Sequence, residues 1–183
     1  MNVTIFNGSP RKNGNTSELV KRIMARAPDN VGLESISLFD KKISGCMNCG
    51  ACQKGPLPSY CTIDDDMRGL YDKFLSADVI LLATPIYMWQ FTPCMLAFLN
   101  RLHCLCRHST PDNMMKGKKI AVCVTLGDEP EVTEFSVNGF KEFCEYFSLD
   151  YLGEIIIPYA EKEKISYGDY DEEVEMFIRK TMS

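Results

Sequence analysis

Strand-sized apolar runs alternate with amphipathic helical stretches along nearly the whole chain, and this alternation constrains the fold more than any other feature. Residues 2–6, 33–38, 78–84, 119–126 and 152–157 read as strands. Residues 16–27, 64–76, 91–105, 132–147 and 169–181 read as helices. Met67, Leu70, Tyr71, Phe74 and Leu75 recur at a helical period, behind three aspartates suited to a helix N-terminus. Pro93 falls near a helix start, where its missing N–H costs nothing. The strands around Val79 and Ile120 are apolar on both faces, as in a parallel sheet covered by helices on each side. The expectation is a single three-layer α/β domain over residues 1–183.

Composition narrows the class. The longest apolar run, Val79-Ile80-Leu81-Leu82-Ala83, is strand-sized and far short of the roughly 18 residues of a membrane helix. The N-terminus has no basic segment followed by an apolar stretch, so the expected location is cytoplasmic, with no membrane partner. A net charge of −5 argues against a nucleic-acid partner, which would require a basic face. Two connections are long for a compact domain, residues 40–63 and 106–117, and loops of that length are usually functional.

The segment Gly8-Ser9-Pro10-Arg11-Lys12-Asn13-Gly14-Asn15-Thr16-Ser17 joins the first strand to the first helix. Unpaired N–H groups and the helix dipole make such a junction an anion site. Ser9, Thr16 and Ser17 add hydroxyl donors and Arg11 adds a charge. No Gly-Lys-Ser/Thr follows, which excludes a nucleoside-triphosphate loop, and G-x-G-x-x-G is absent. The competing reading is a capped strand-to-helix turn with no ligand.

Nine cysteines are many for a chain of this kind, and their clustering is what informs. Cys46, Cys49, Cys52 and Cys61 fall in the first long loop. A C-x-x-C-x-x-C run offers three thiolates from one turn, and a fourth thiolate completes the set that an iron–sulfur cube needs. A zinc site, a redox disulfide and thiols with no cofactor compete with that reading. Cys94, Cys104, Cys106, Cys123 and Cys144 read as structural thiols, and a metal group of Cys104 and Cys106 with His103 and His108 is disfavoured.

Three segments together resemble the NADPH-dependent FMN reductase and iron–sulfur flavoprotein families: Gly8-Ser9-Pro10-Arg11 with Gly14-Asn15-Thr16-Ser17; Ala83-Thr84-Pro85-Ile86-Tyr87 with Phe98-Leu99-Asn100-Arg101; and Cys61-Thr62-Ile63-Asp64-Asp65-Asp66-Met67. The resemblance implies a flavodoxin-like three-layer sandwich with a five-stranded parallel sheet in order 2-1-3-4-5. FMN would lie at the switch point of that sheet. It further implies that Ser9, Arg11, Asn15, Thr16 and Ser17 hold the FMN phosphate. Pro85, Ile86, Tyr87, Met88 and Trp89 would contact the ring on one side, and Thr125 and Gly127 on the other. Tyr87 and Trp89 also fit simple lid packing. In the cysteine loop the resemblance implies a 4Fe–4S cluster on Cys46, Cys49, Cys52 and Cys61, although the gap before Cys61 is longer than the family's usual one. The family usually places a lysine where this chain has Cys94, Met95 and Leu96, which alters the flavin rim.

The function so implied is electron transfer between FMN and a 4Fe–4S cluster, in a homo-oligomer with ferredoxin or NAD(P)H as redox partner. No catalytic side chain is expected, because the cofactors do the chemistry. The alternatives are an NAD(P)H-dependent FMN or quinone reductase without a cluster, and a flavodoxin-like electron carrier.

Overall fold

The computed structural model describes residues 1–107, 112–160 and 167–183, so His108 and part of the second long loop lie outside the described residues. Five parallel strands form its sheet: β1 (Asn2–Asn7), β2 (Gly32–Ser37), β3 (Val79–Tyr87), β5 (Lys119–Thr125) and β6 (Asp150–Ile157), in the order β2-β1-β3-β5-β6. This is the expected order. A further strand, β4 (Gln90–Phe91), was not expected; it folds back antiparallel onto the end of β3.

Side-chain alternation along the central strands builds two cores. Val79, Leu81 and Ala83 of β3 face one side, with Val3, Ile5, Ala121 and Cys123. There they meet α1 (Asn15–Arg26) through Leu19, Val20 and Ile23, and α6 (Asp171–Thr181) through Val174, Phe177 and Ile178. Ile80 and Leu82 face the other side, with Phe6, Ile120, Val122 and Val124. That face is covered by α3 (Met67–Ser76), α4 (Pro93–Arg101) and α5 (Glu134–Tyr146). Phe6 and Phe98 lie in ring contact at 4.5 Å between centroids, so β1 and α4 are packed directly on one another.

Several boundaries move from their expected places. β3 runs three residues past Thr84, because Thr84 and Pro85 still pair in register with Val124 and Thr125. α3 begins at Met67 rather than residue 64, because the side chains of Asp65 and Asp66 bond backbone N–H groups around its start instead of continuing it. α4 ends at Arg101 and tightens into a 3-10 turn, Leu102–Leu105. Inside the first long loop a short helix forms, α2 (Ala51–Lys54). Among the described residues no helix is long and apolar enough to cross a membrane.

Candidate functional site

The loops after β1, β3 and β5 meet at the carboxyl edge of the sheet, where the order reverses between β1 and β3. That edge is where a doubly wound sheet receives a ligand. Gly8 is required there by close approach: a Cβ on it would stand 2.8 Å from Thr92 Oγ1 and 3.2 Å from Met95 Cβ. Thr92 Oγ1 donates to the Gly8 carbonyl at 2.9 Å, fastening α4 to the phosphate loop.

The loop itself is folded around the Arg11 carbonyl. Ser9 Oγ donates to it at 3.2 Å, Ser17 Oγ at 2.9 Å and the Gly14 N–H at 3.1 Å. Ser9, Thr16 and Ser17 are buried, whereas Arg11 is exposed. α1 starts after Gly14, which offers no side-chain cap to the helix start, and the Glu18 N–H donates to the Gly14 carbonyl at 3.0 Å. Thr16 Oγ1 lies 2.6 Å from Thr125 Oγ1, which joins the loop to the end of β5. Asn15 Nδ2 donates to the Ala160 carbonyl, and the Ala160 N–H donates to Leu126 at 2.7 Å. The segment after β6 thus belongs to the site. The sequence carried no local signal for it, since its contribution is a backbone carbonyl.

On the far side of β3, Ile86, Met88 and Trp89 face Leu126, Gly127, Asp128 and Val132 across a cavity of about 190 Å³. Met88 and Trp89 form the two-residue turn between β3 and β4, and both are left-handed, with φ of 50° and 62°. Such a turn suits strand twist but favours glycine or asparagine, so a methionine and a tryptophan there are strained. They are nevertheless 81% and 55% exposed, so burial does not compensate the strain. Tyr87 stands apart from them. It lines a second cavity, about 560 Å³, with Gly8, Pro10, Leu38, Phe39 and Cys94. Pro85 is buried in the sheet opposite Thr125 and lines neither cavity.

The cysteine loop leaves β2 and is closed at its base. Asp66 Oδ2 accepts from the Lys42 N–H at 2.7 Å, and Asp65 Oδ2 accepts from the Ser44 N–H at 3.0 Å. Arg101, at the end of α4, clamps both ends: its guanidinium donates to Asp65 Oδ2 at 2.6 Å, Asp65 Oδ1 at 3.2 Å and the Ser44 carbonyl at 2.9 Å. The Arg101 side chain is 1% exposed and that of Asp65 6%. Burial by itself would raise the Asp65 carboxyl, but Arg101 and the Ser44 and Met67 N–H groups together bring it below the ordinary carboxylate value.

Cys46, Cys49, Cys52 and Cys61 line one small cavity with Arg101, His103 and Cys104. Asn48 and Gly50 are both left-handed, and these turns let the backbone between the thiols wrap tightly. Among the described residues no three His, Cys, Asp or Glu are close enough to grip a single metal ion. The donor set fits a thiolate-bound centre in its chemistry: four thiols on one cavity, with a buried cation behind them. The Ala51 N–H, followed by the Thr62 hydroxyl, holds the Cys49 thiol below its ordinary value. Burial pushes the Cys104 thiol up to about 11. Cys104 and Arg101 were not expected at this site; no thiol spacing connects them to the loop, and the end of α4 brings Arg101 to it and the 3-10 turn that follows brings Cys104.

The family model described as NADPH-dependent FMN reductase matches residues 1–135. An iron–sulfur flavoprotein of Methanosarcina thermophila is 30% identical over 129 residues, 69% of this chain and 63% of that protein. The chain spans less than two thirds of the first such relatives. A Bacillus subtilis protein whose name provisionally assigns it as an NAD(P)H-dependent FMN-containing oxidoreductase is 23% identical, over 85% of this chain and 84% of its own. The Trp repressor binding protein of Bacillus subtilis superposes with a TM-score of 0.69 at 19% identity over the full length of both chains, a likeness of fold.

Proposed function

We propose, from the premise that the chain belongs to the NADPH-dependent FMN reductase family, that it is an FMN-dependent oxidoreductase of the iron–sulfur flavoprotein type. The observation that carries this reading is the convergence of Cys46, Cys49, Cys52 and Cys61 on one cavity, in a fold whose phosphate loop is built for an anion. The names of the curated iron–sulfur flavoproteins that it matches agree with it.

The start of α1 would hold the FMN phosphate with the Arg11 guanidinium, and the hydroxyls of Ser9, Thr16 and Ser17, which bond within the protein in this structure, would turn to it from the loop. Asn15 orients the helix start through Ala160. Ile86, Met88 and Trp89 on one wall and Gly127 on the other would hold the ring, since they line one cavity. Thr125 fixes that second wall to the phosphate loop through Thr16. Pro85 would support the ring-side loop from within the sheet, and Tyr87 would flank the phosphate loop in the separate cavity it shares with Gly8 and Pro10. Cys46, Cys49, Cys52 and Cys61 hold a 4Fe–4S cluster as thiolates. When bound, the flavin handles one or two electrons and the cluster one at a time, which matches two-electron to one-electron partners. No side chain is assigned as acid or base. The protein works as a homo-oligomer, with NAD(P)H or a ferredoxin-type protein as redox partner.

Anaerobic purification with iron and acid-labile sulfide analysis tests the reading. The expected result is about one FMN and one cluster per chain, with a broad absorbance that bleaches on dithionite addition. Cys46→Ser, Cys49→Ser, Cys52→Ser and Cys61→Ser each lower bound iron and sulfide, whereas Cys123→Ser and Cys144→Ser do not. A second reading, an NAD(P)H-dependent FMN or quinone reductase without a cluster, is favoured by the match to the Bacillus subtilis protein over 85% of this chain and 84% of its own. FMN-loaded protein with steady NADPH oxidation and no iron would establish it.

A further inference from the structure

We propose that Arg101 is a positioning residue of the cysteine loop, and that its buried cation faces an anionic thiolate-bound centre and raises the reduction potential of that centre. The inference rests on the cluster reading given above.

Arg101 is the largest fully buried side chain of the protein's described residues. Its two terminal nitrogens are bonded to Asp65, and one of them also to the Ser44 carbonyl. Its Nε is buried and has no hydrogen-bond partner among the described residues. A buried donor left unpaired costs free energy, and a charged one more, so such groups call for an explanation. The side chain lines the cavity on which Cys46, Cys49, Cys52 and Cys61 converge. An anionic sulfur in that cavity would supply both an acceptor for Nε and a countercharge for the guanidinium.

Asp65 does not cancel this role. The carboxylate binds the terminal nitrogens, on the side of the loop base, and does not line the cysteine cavity. The orphan Nε belongs to the side chain that does. Reduction of a thiolate-bound cluster adds one electron and makes its net charge one unit more negative. A fixed, buried cation beside it favours the reduced form, so its removal makes reduction harder.

Spectroelectrochemical titration of the anaerobically purified full-length protein, with Arg101→Gln and Arg101→Lys, tests this. Arg101→Gln is expected to keep FMN and shift the cluster's reduction equilibrium about tenfold toward the oxidised form, about 59 mV for a one-electron couple. Arg101→Lys retains the cation and is expected to restore most of that shift. Should Arg101→Gln fail to fold because Asp65 is left unpaired, Asp65→Asn/Arg101→Gln removes both charges, and a shift of the same sign is expected. An unchanged cluster potential in the glutamine variants, with iron and sulfide intact, overturns the proposal and leaves the cluster reading standing. Wild-type protein that holds neither iron nor sulfide overturns both.

Discussion

At the scale of single residues, most of the donors expected at the phosphate loop are already tied into the protein. Thr16 is paired with Thr125, and Ser9 and Ser17 hold the Arg11 carbonyl. The loop is therefore shaped before any phosphate arrives, which lowers the ordering cost of binding. Arg11→Ala with Thr16→Ala is expected to weaken FMN binding at least about tenfold, since each charge-assisted bond is worth roughly 1.5–3 kcal/mol. A fluorescence-quenching titration measures it, and unchanged affinity would remove the phosphate-loop assignment. The thiols differ as sharply. Cys49 is exposed and its thiol is lowered by the Ala51 N–H and Thr62, whereas burial pushes the Cys144 thiol up to about 12. In metal-free protein, iodoacetamide at neutral pH is expected to label Cys49 well before Cys144, as read by peptide mass mapping.

At the scale of elements, two loops do what their flanking strands and helices cannot. The β3–β4 turn places Met88 and Trp89 in left-handed backbone at the cavity they share with Gly127, an arrangement that costs of order 1–3 kcal/mol. Met88→Gly/Trp89→Gly is expected to raise the chemical denaturation midpoint of the apoprotein while weakening FMN binding. A lower midpoint with unchanged affinity would show that the turn serves packing alone. The base of the cysteine loop depends on the Asp65–Arg101 pair. Breaking a buried pair from one side is strongly destabilising, so Asp65→Asn is expected to cost about 3–5 kcal/mol at neutral pH. The sign with pH follows from the lowered Asp65 carboxyl. Its contribution is whole above the ordinary carboxylate value and disappears as pH falls through the lower, folded-state value. The stability gap between the wild type and Asp65→Asn should therefore close on acidification, as followed by urea unfolding at several pH values.

At the scale of the whole molecule, one helix connects the two sites. The start of α4 holds Gly8 through Thr92, and its end presents Arg101 to the cysteines. About 13 Å of helix lies between, at 1.5 Å for each of nine residues. Met88 and Trp89 are exposed beside the cavity they share with Gly127, and Phe135 is 71% exposed at the start of α5. Apolar surface of this kind commonly marks an interface. Light scattering of the FMN-loaded protein is expected to give a dimer or tetramer, and a monomeric mass at micromolar concentration would exclude transfer that needs two subunits.

The sequence by itself determined the layers, the strand order implied by family resemblance, and the two loops that matter. Those signals are local or periodic: the doubly apolar runs at Val79 and Ile120, the Gly-Ser-Pro turn and the C-x-x-C spacing are all read within a few residues. The short β4 escaped because two residues carry no period, and its turn uses Met88 and Trp89 in place of glycine or asparagine. Only the tertiary structure decided which side of β3 each ring-side residue faces, sending Tyr87 to one cavity and Met88 and Trp89 to another. It alone brought Ala160 to Asn15, and Arg101 and Cys104 to a loop some forty or more positions earlier in the chain. Contacts over such separations are set by how helices pack on the sheet, and that geometry leaves no periodic trace near either partner.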